Sequence, residues 1–386
     1  MASSAWQQVV PFLPLFLQQL GVTDNLNQWS SAVFALHYIS AIFFLPFWGK
    51  VADKYGQKPL MLRAGICLGS LYWLMSLATN PYQVAAVRFL NGALTGFIPC
   101  AVSLCAINTP KKLTSRYVAS LQTASAAGTI IGPSIGGILA DYFDFRGALR
   151  ASSIMVFMAV VLVLVLVEEK NKTRVESDTS LLQDVRTSIK HPVLFGTMLA
   201  ICFTAVATLS LQPILTLYLS GLHQGGANWL RGAVFSLPGI AFLVTAGMWV
   251  RLGEKRGLET LIPLGLVFSG FAIIGLSFAR SVIGFSVVYL IMGIFVASLR
   301  PSAAALVALK VDTDFQGRAY AMQQGAFMFG GFVGPLTFGT IAKYTGTCAM
   351  FSWLGVFLII SAVYMHNLIQ RWSKLAPSQS ITKTAV

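Results

Sequence analysis

The sequence predicts an all-α integral membrane protein made of two pseudo-symmetric bundles of six helices, 12 transmembrane helices in all. Three observations carry that expectation. Of 386 residues, 56% are hydrophobic and only 10% charged, against roughly 25% charged in an ordinary soluble domain. Apolar runs near the length of about 20 residues that a bilayer-spanning helix needs recur near 5–20, 30–50, 60–79, 82–107, 117–140 and 147–167, then near 194–219, 229–251, 260–279, 282–308, 318–341 and 347–370. Finally, the chain repeats itself. At an offset of 202 residues, Gly128-Thr-Ile-Ile-Gly132-Pro133 returns as Gly330-Gly-Phe-Val-Gly334-Pro335, and Pro11, Arg116, Gln122, Gly137 and Tyr142 return as Pro213, Arg318, Gln324, Gly339 and Tyr344. At 201, Asp53-Lys54 becomes Glu254-Lys255, and Gly56 and Gly92 become Gly257 and Gly293.

Taken in order, the runs define spans one to twelve. Span one is short and carries Ser3, Ser4, Gln7 and Gln8, so the expectation is a first helix truncated from a longer one, the alternative being a helix that begins inside the membrane. Residues 1–167 form the first six-helix bundle, and residues 168–193 a charged, mixed-sign linker with a surface helix near 181–189. Residues 194–370 form the second bundle and 371–386 a tail. Two homologous halves in an apolar chain imply a binding site between them and a rocking motion about it.

Charge sets the orientation. The formal net charge is +14. The loops after spans two, four, six, eight and ten, with the tail, hold 20 of the 27 Lys and Arg residues, while the opposite loops hold 5. Such a bias places the basic loops and the C-terminus in the cytoplasm. A basic excess scattered over short loops is not a nucleic-acid surface, and no nucleic-acid partner is expected. The five cysteines form no CxxC pair and read as small packing residues. No cleavable signal is needed where the first span can serve for insertion. The four histidines, His37, His191, His223 and His366, are scattered, with no P-loop, metal-ligand spacing or G-x-S-x-G. No enzymatic activity, cofactor or metal is expected.

The sharpest motif is Gly49-Lys-Val-Ala-Asp53-Lys54-Tyr-Gly56-Gln57-Lys58, after span two, with a weaker echo at Gly253-Glu254-Lys255-Arg256-Gly257. Gly49 and Gly56 permit close helix approach and a tight turn. Asp53 can pair with basic groups or cap a neighbouring helix N-terminus, a contact that one gate state can hold and another break. In span five, Gly128, Gly132 and Gly136 recur every fourth residue with Gly137 beside them. That face suits tight contact with a helix of the other half, and Pro133 can kink the helix. Gly334 and Pro335 repeat the element in span eleven.

These residues carry a resemblance. The loop G-x-x-x-D-K-x-G-x-K resembles the signature of the major facilitator superfamily, as does Arg88-Phe-Leu-Asn-Gly92 with Gly96 in span four. Gly128-x-x-x-Gly132-Pro133-x-x-Gly136-Gly137 resembles the element of its drug:proton antiporter family. Pro11-Phe-Leu-Pro-Leu, Gln19-Leu-Gly-Val-Thr, Pro46-Phe-Trp-Gly and Pro213-Ile-Leu-Thr-Leu-Tyr are similar to bacterial multidrug efflux proteins of the MdtG type. The resemblance covers the whole chain. It implies the major facilitator fold, a cavity lined by spans one, four, seven and ten, and a multi-pass protein of the bacterial cytoplasmic membrane. It also implies a secondary active transporter exporting drug-like amphipathic compounds against protons, with the helix-five element sealing the cavity.

The cavity candidates are Trp6, Gln7, Gln8, Asn91, Gln122, Gln212, Arg300, Gln323 and Gln324. Arg88 and Arg300 are charges at membrane depth and must face protein or water. In relatives the arginine at Arg88 is implicated in proton coupling. By these span limits none of the 13 acidic residues lies in a span core, a departure from antiporters that carry an embedded carboxylate. His37, the titratable group at depth with a near-neutral reference pKa, and Asp141 are therefore the other coupling candidates, alongside Asp53. The alternative reading is a transporter of one metabolite or organic anion, for which the two arginines argue. A non-transporting receptor or scaffold is disfavoured by the lack of a sizeable soluble domain. Expected partners are a small-molecule substrate, protons and membrane lipid, with the chain a monomer.

Overall fold

The structure is a computed structural model that describes residues 1–94, 96–169, 181–222, 226–311 and 313–375; the side chains of Asp53 and Glu254 lie outside the described residues. Among the described residues every regular element is helical. Span one is α1 (Ala2–Val9), a 3₁₀ turn (Val10–Phe12) and α2 (Leu13–Gln19). Its one interruption, the 3₁₀ turn, contains Pro11, and Pro14 stands in the first turn of α2; neither proline offers a backbone donor to continue an α-helix from the preceding residues. Span two is α3 (Leu26–Tyr55) and span three α4 (Gln57–Ser76). They are separated by Gly56 alone, at φ 102°, a conformation that disfavours side-chain-bearing residues.

Span four is α5 (Pro81–Ala93) and α6 (Phe97–Asn108). The Asn80 side chain caps α5, accepting the Gln83 N–H at 2.9 Å, with Pro81 at the first helical position. The long α7 (Lys111–Leu166) holds spans five and six, divided at Asp144, whose φ of 64° is non-helical. Asp144 Oδ1 accepts the Gly147 N–H at 2.7 Å and so caps span six. In the linker, α8 (Leu181–Lys190) precedes α9 (Pro192–Leu222), which is span seven. Spans eight and nine are α10 (Asn228–Arg256) and α11 (Leu258–Leu276), span ten is α12 (Val282–Val296) with α13 (Leu299–Lys310), and spans eleven and twelve are α14 (Thr313–Thr345) and α15 (Thr347–Leu375). Nine stretches among the described residues are long and apolar enough to cross a membrane, and one of them, Arg116–Leu166, contains two spans.

Spans four and ten depart from the continuous helices the sequence suggested. Span four breaks where Gly96 takes φ 137°. Span ten tightens into a turn at Ala297–Ser298, where the Ser298 N–H reaches back only three residues, to Phe295. Each bundle has its own apolar core: Leu13, Leu17, Tyr72, Val84 and Val156 in the first, Leu211, Ile214, Phe285, Phe351 and Leu354 in the second. Large apolar side chains such as Val165, Leu166, Val244 and Ile283 remain more than half exposed, as helices bathed in lipid permit.

The bundles meet toward one end. Call the end with residues 50–58, 108–116 and 251–257 the basic face. Away from it, span five lies on span eight: a methyl at Gly137 would sit 2.5 Å from the Asn228 carbonyl oxygen and 2.8 Å from Trp229 Cα. Ser236 Oγ donates to the Ile130 carbonyl and is 3.2 Å from Ser134 Oγ. Span two lies on span eleven, where a methyl at Gly331 would sit 2.7 Å from the Tyr38 ring, and Gly339 closes on Ser31. Thr216 Oγ1 of span seven donates to the Pro11 carbonyl of span one. Nearer the basic face, Gly49 of span two, Gly247 of span eight and Gly325 of span eleven make no such contact: a methyl at each would have no neighbour within 4 Å.

Candidate functional site

The two interrupted spans occupy corresponding positions in the two halves, and such a pair is a strong pointer to a transporter's central site. A helix break frees a carbonyl, and each one here is taken by an indole. Trp48 Nε1 of span two donates to the Ala93 carbonyl at 2.7 Å. Trp249 Nε1 of span eight donates to the Ile294 carbonyl at 2.8 Å. Donor and acceptor are both displaced by 201 residues, so the repeat extends to the way its breaks are pinned. The Arg63 guanidinium stacks on Trp48 at 3.5 Å. None of this was read from the sequence, although Trp48 and Trp249 stand at the repeat offset.

Arg88 and Asn91 project from the segment before the span-four break, one helical turn apart. Arg88 is fully buried, with Trp6 and Phe34 rings 5.1 and 5.7 Å from its guanidinium carbon. Aromatic faces offset part of the cost of a desolvated cation. Its guanidinium nitrogens and His37 Nδ1 are buried without hydrogen-bond partners, and the Asn91 amide and the Tyr72 hydroxyl are buried in the same cluster. His37 packs on Trp6, ring centroids 4.4 Å apart. Span four approaches span two closely here because Gly92 leaves room for the His37 carbonyl. The result is a buried polar cluster with unused donors inside the first bundle.

Arg300 differs: it follows the span-ten turn, is exposed, and lies over the Phe327 ring at 4.3 Å. Tyr38 lies within the electrostatic reach of both arginines.

The glutamines do not gather as one set. Gln8 is buried, accepts Ser152 Oγ at 2.6 Å and faces span six. Gln323 is buried and donates to the Ala303 carbonyl at 3.2 Å. Gln7, Gln212 and Gln324 are half-buried and Gln122 is exposed.

The glycine face of span five also differs from expectation. Methyls at Gly128, Gly132 and Gly136 would strike Ser4, Gln7 and Gln8 of span one, in the same half. Only Gly137, one residue round the helix, meets the other half, together with the backbone at Pro133 and Ser134 against Gly232. A stripe repeating every fourth residue has one direction, and its neighbour in space decides what it packs on. Span eleven repeats this: Gly330 and Gly334 meet Cys202, Ala205 and Val206 of span seven, with Pro335 within the helix.

At the basic face, the N-terminus of span three is capped by Glu169, from the end of span six. Its carboxylate accepts the Gln57 N–H at 2.7 Å and the Lys58 N–H at 3.2 Å. A side chain at Gly56 would collide with that carboxylate at 2.7 Å. Lys58 Nζ donates to the Leu164 carbonyl at 3.1 Å, and Lys54 lies 5.3 Å from the Tyr55 ring. The sequence reading gave helix capping to Asp53; at span three that role falls to Glu169, legible only as an acid ending an apolar run on the same face. Across the molecule, Asp141 accepts the Asn228 and Trp229 N–H groups at 2.8 and 2.9 Å. No group of three or more His, Cys, Asp or Glu that could hold a metal occurs among the described residues.

Twelve helical spans in two bundles, with an interrupted span and an arginine in each half, are the arrangement of a membrane transporter. The sequence model of the Major Facilitator Superfamily matches residues 1–230 and again 224–385, and the chain belongs to that superfamily. It is 30% identical over 380 residues to the multidrug resistance protein MdtG of Escherichia coli strain SMS-3-5, covering 97% of this chain and 92% of that one. With the same-named protein of Escherichia coli K12 the identity is 31% over 383 residues, again covering 97% and 92%. Among solved structures, a point variant of the nucleoside transporter NupG superposes with a TM-score of 0.78 at 12% identity, covering 95% of this chain and 98% of its own. A bacterial homologue of the human lysosomal transporter Spinster, inward-facing and unoccupied, gives 0.79 at 13% identity, covering 97% and 95%. Those two likenesses concern the fold.

Proposed function

We propose that this chain is a secondary active transporter that exports drug-like amphipathic compounds in exchange for protons, by alternating access, from the cytoplasmic membrane of a bacterium. Residues 1–167 and 194–370 act as the two rocking bundles, 168–193 as their linker, and 371–386 as a cytoplasmic tail. The observation that carries the reading is the one-sided meeting of the bundles: closed away from the basic face and relaxed toward it. With the basic loops in the cytoplasm, this is an inward-facing state. The MdtG relatives, named for multidrug resistance, favour several substrates over one metabolite.

In this reading Gly49, Asp53, Lys54, Gly56 and Lys58, with Glu254 in the second half, close the cytoplasmic gate. Gly137, Pro133, Gly334 and Pro335 belong to the hinges. Half-buried Gln7, Gln212 and Gln324 and exposed Arg300 meet substrate. Arg88 and His37 form the buried group whose hydration and charge respond to protons; Asp141 stands apart from them at the outer end. The chain works as a monomer in lipid.

The test is expression in cells stripped of their own efflux pumps, challenged with a panel of dyes, antibiotics and bile salts with and without an uncoupler. Resistance to several unrelated compounds that collapses with the proton gradient supports the reading. Resistance to none, or resistance untouched by the uncoupler, overturns it.

A further inference from the structure

The seal between the bundles away from the basic face is not symmetric. Where span five meets span eight, Asp141 ends one helix and grips the start of the other. Its two carboxylate oxygens take the N–H groups of Asn228 and Trp229 at 2.8 and 2.9 Å. Those are among the donors a helix leaves unsatisfied in its first turn, at the end where its dipole favours a negative charge. Around the grip the backbones are in contact, since neither Gly137 nor Gly232 has room for a methyl. Arg231, one turn in, donates to Asn228 Oδ1 at 2.5 Å and lies within electrostatic reach of Asp141.

At the equivalent place in the other seam, 202 residues on from Asp141, stands Lys343. It stands at the end of span eleven, exposed and with its Nζ 5.2 Å from the Tyr344 ring; a cation cannot accept the N–H groups of a helix start. That seam closes by packing, with Gly339 against Ser31. Among the described residues, Asp141 is the carboxylate that makes a charged contact on this side, and both its bonds cross between the bundles. They cannot survive the separation that opens the site to this face.

We infer that Asp141 is the bolt of the outer gate: a positioning residue that sets how long the transporter dwells inward-facing, and whose release from the start of span eight accompanies outward opening. The inference rests on the alternating-access reading, but its readout needs neither substrate nor proton gradient, so it can fail while that reading stands.

The test uses the full chain with its five native cysteines replaced, and spin labels at Leu77→Cys and Phe278→Cys. These positions are exposed, belong to different bundles, and are related by the 201-residue offset. Double electron–electron resonance then gives the populations of short and long distances across this face. Asn keeps one acceptor but turns an amide N–H₂ toward a backbone N–H, whereas Glu keeps the charge. The expected result is that Asp141→Asn raises the long-to-short ratio about tenfold, the scale of losing a hydrogen bond to a charged group, and that Asp141→Glu recovers at least part of it. Ser134→Ala, about two turns along the same seam and without charge, removes its contact with Ser236 and shifts the ratio much less. An unchanged ratio in Asp141→Asn overturns the inference. So does an equal shift in Asp141→Asn and Ser134→Ala, which would mean the seam responds to any disturbance.

Discussion

Replacing Trp249 by Phe removes one N–H and leaves most of the apolar ring. Trp249 is only 5% exposed, and its indole answers the Ile294 carbonyl, whose helical partner is lost because the Ser298 N–H turns back to Phe295. A buried carbonyl left without a donor costs about 1–3 kcal/mol, and little water reaches it in a lipid-embedded bundle. For a bundle of about this size, each kcal/mol corresponds to about 2–4 °C in melting temperature, so Trp249→Phe should melt at least about 2 °C lower in detergent. Trp48→Phe makes the same deletion at a half-buried position, where water can replace the indole; it should cost less in hydrogen bonding but forfeits part of the Arg63 stacking at 3.5 Å. Hydrogen exchange localises the effect: protection in Trp249→Phe should fall around residues 294–300 and not in span four. A melting temperature within error of the parent, or a uniform loss of protection, would refute the idea that the indoles pin the two breaks.

Other expectations are simpler. Asp53→Asn should sharply reduce transport with near-normal expression; unchanged transport retires its gating role. Glu169→Gln leaves one acceptor for the Gln57 and Lys58 N–H groups, so transport should fall several-fold while Glu169→Asp retains more, measured as dye efflux at matched expression. Gly232→Val places side-chain atoms against the Pro133 backbone and should populate outward-open molecules, read as faster labelling of a cysteine at position 236 by an impermeant maleimide; unaltered labelling contradicts the packing described. Arg88→Met removes a fully buried cation and keeps an apolar side chain; the folded protein should persist by size-exclusion profile while proton-dependent efflux is lost. Efflux that keeps its proton dependence would remove Arg88 from the coupling role.

Much of the fold was legible because bilayer thickness and charge bias act on sequence directly. Twelve spans follow from apolar length, and their pairing from the 202-residue repeat. What stayed hidden depends on neighbours in space. The Gly128–Gly132–Gly136 stripe announced a close contact but not with which helix, and the answer is span one of the same half. Gln8 and Gln323 read as polar cavity groups, yet each finds a hydrogen-bond partner within its own bundle. Glu169 looked like the start of a solvated linker until it met the Gln57 and Lys58 N–H groups. The interruption of span four could have been suspected from Gly96; that of span ten has no glycine at its turn and became visible only in the backbone.

The most direct measurement is proton flux in everted membrane vesicles energised to an acid interior, with a pH-sensitive dye inside. If the chain exchanges drug for protons, adding a transported amphipathic compound releases protons from the lumen at a rate that saturates with the compound and disappears in Asp53→Asn. A compound that accumulates in the vesicles with no proton release, and equally well after an uncoupler, would contradict proton-coupled export.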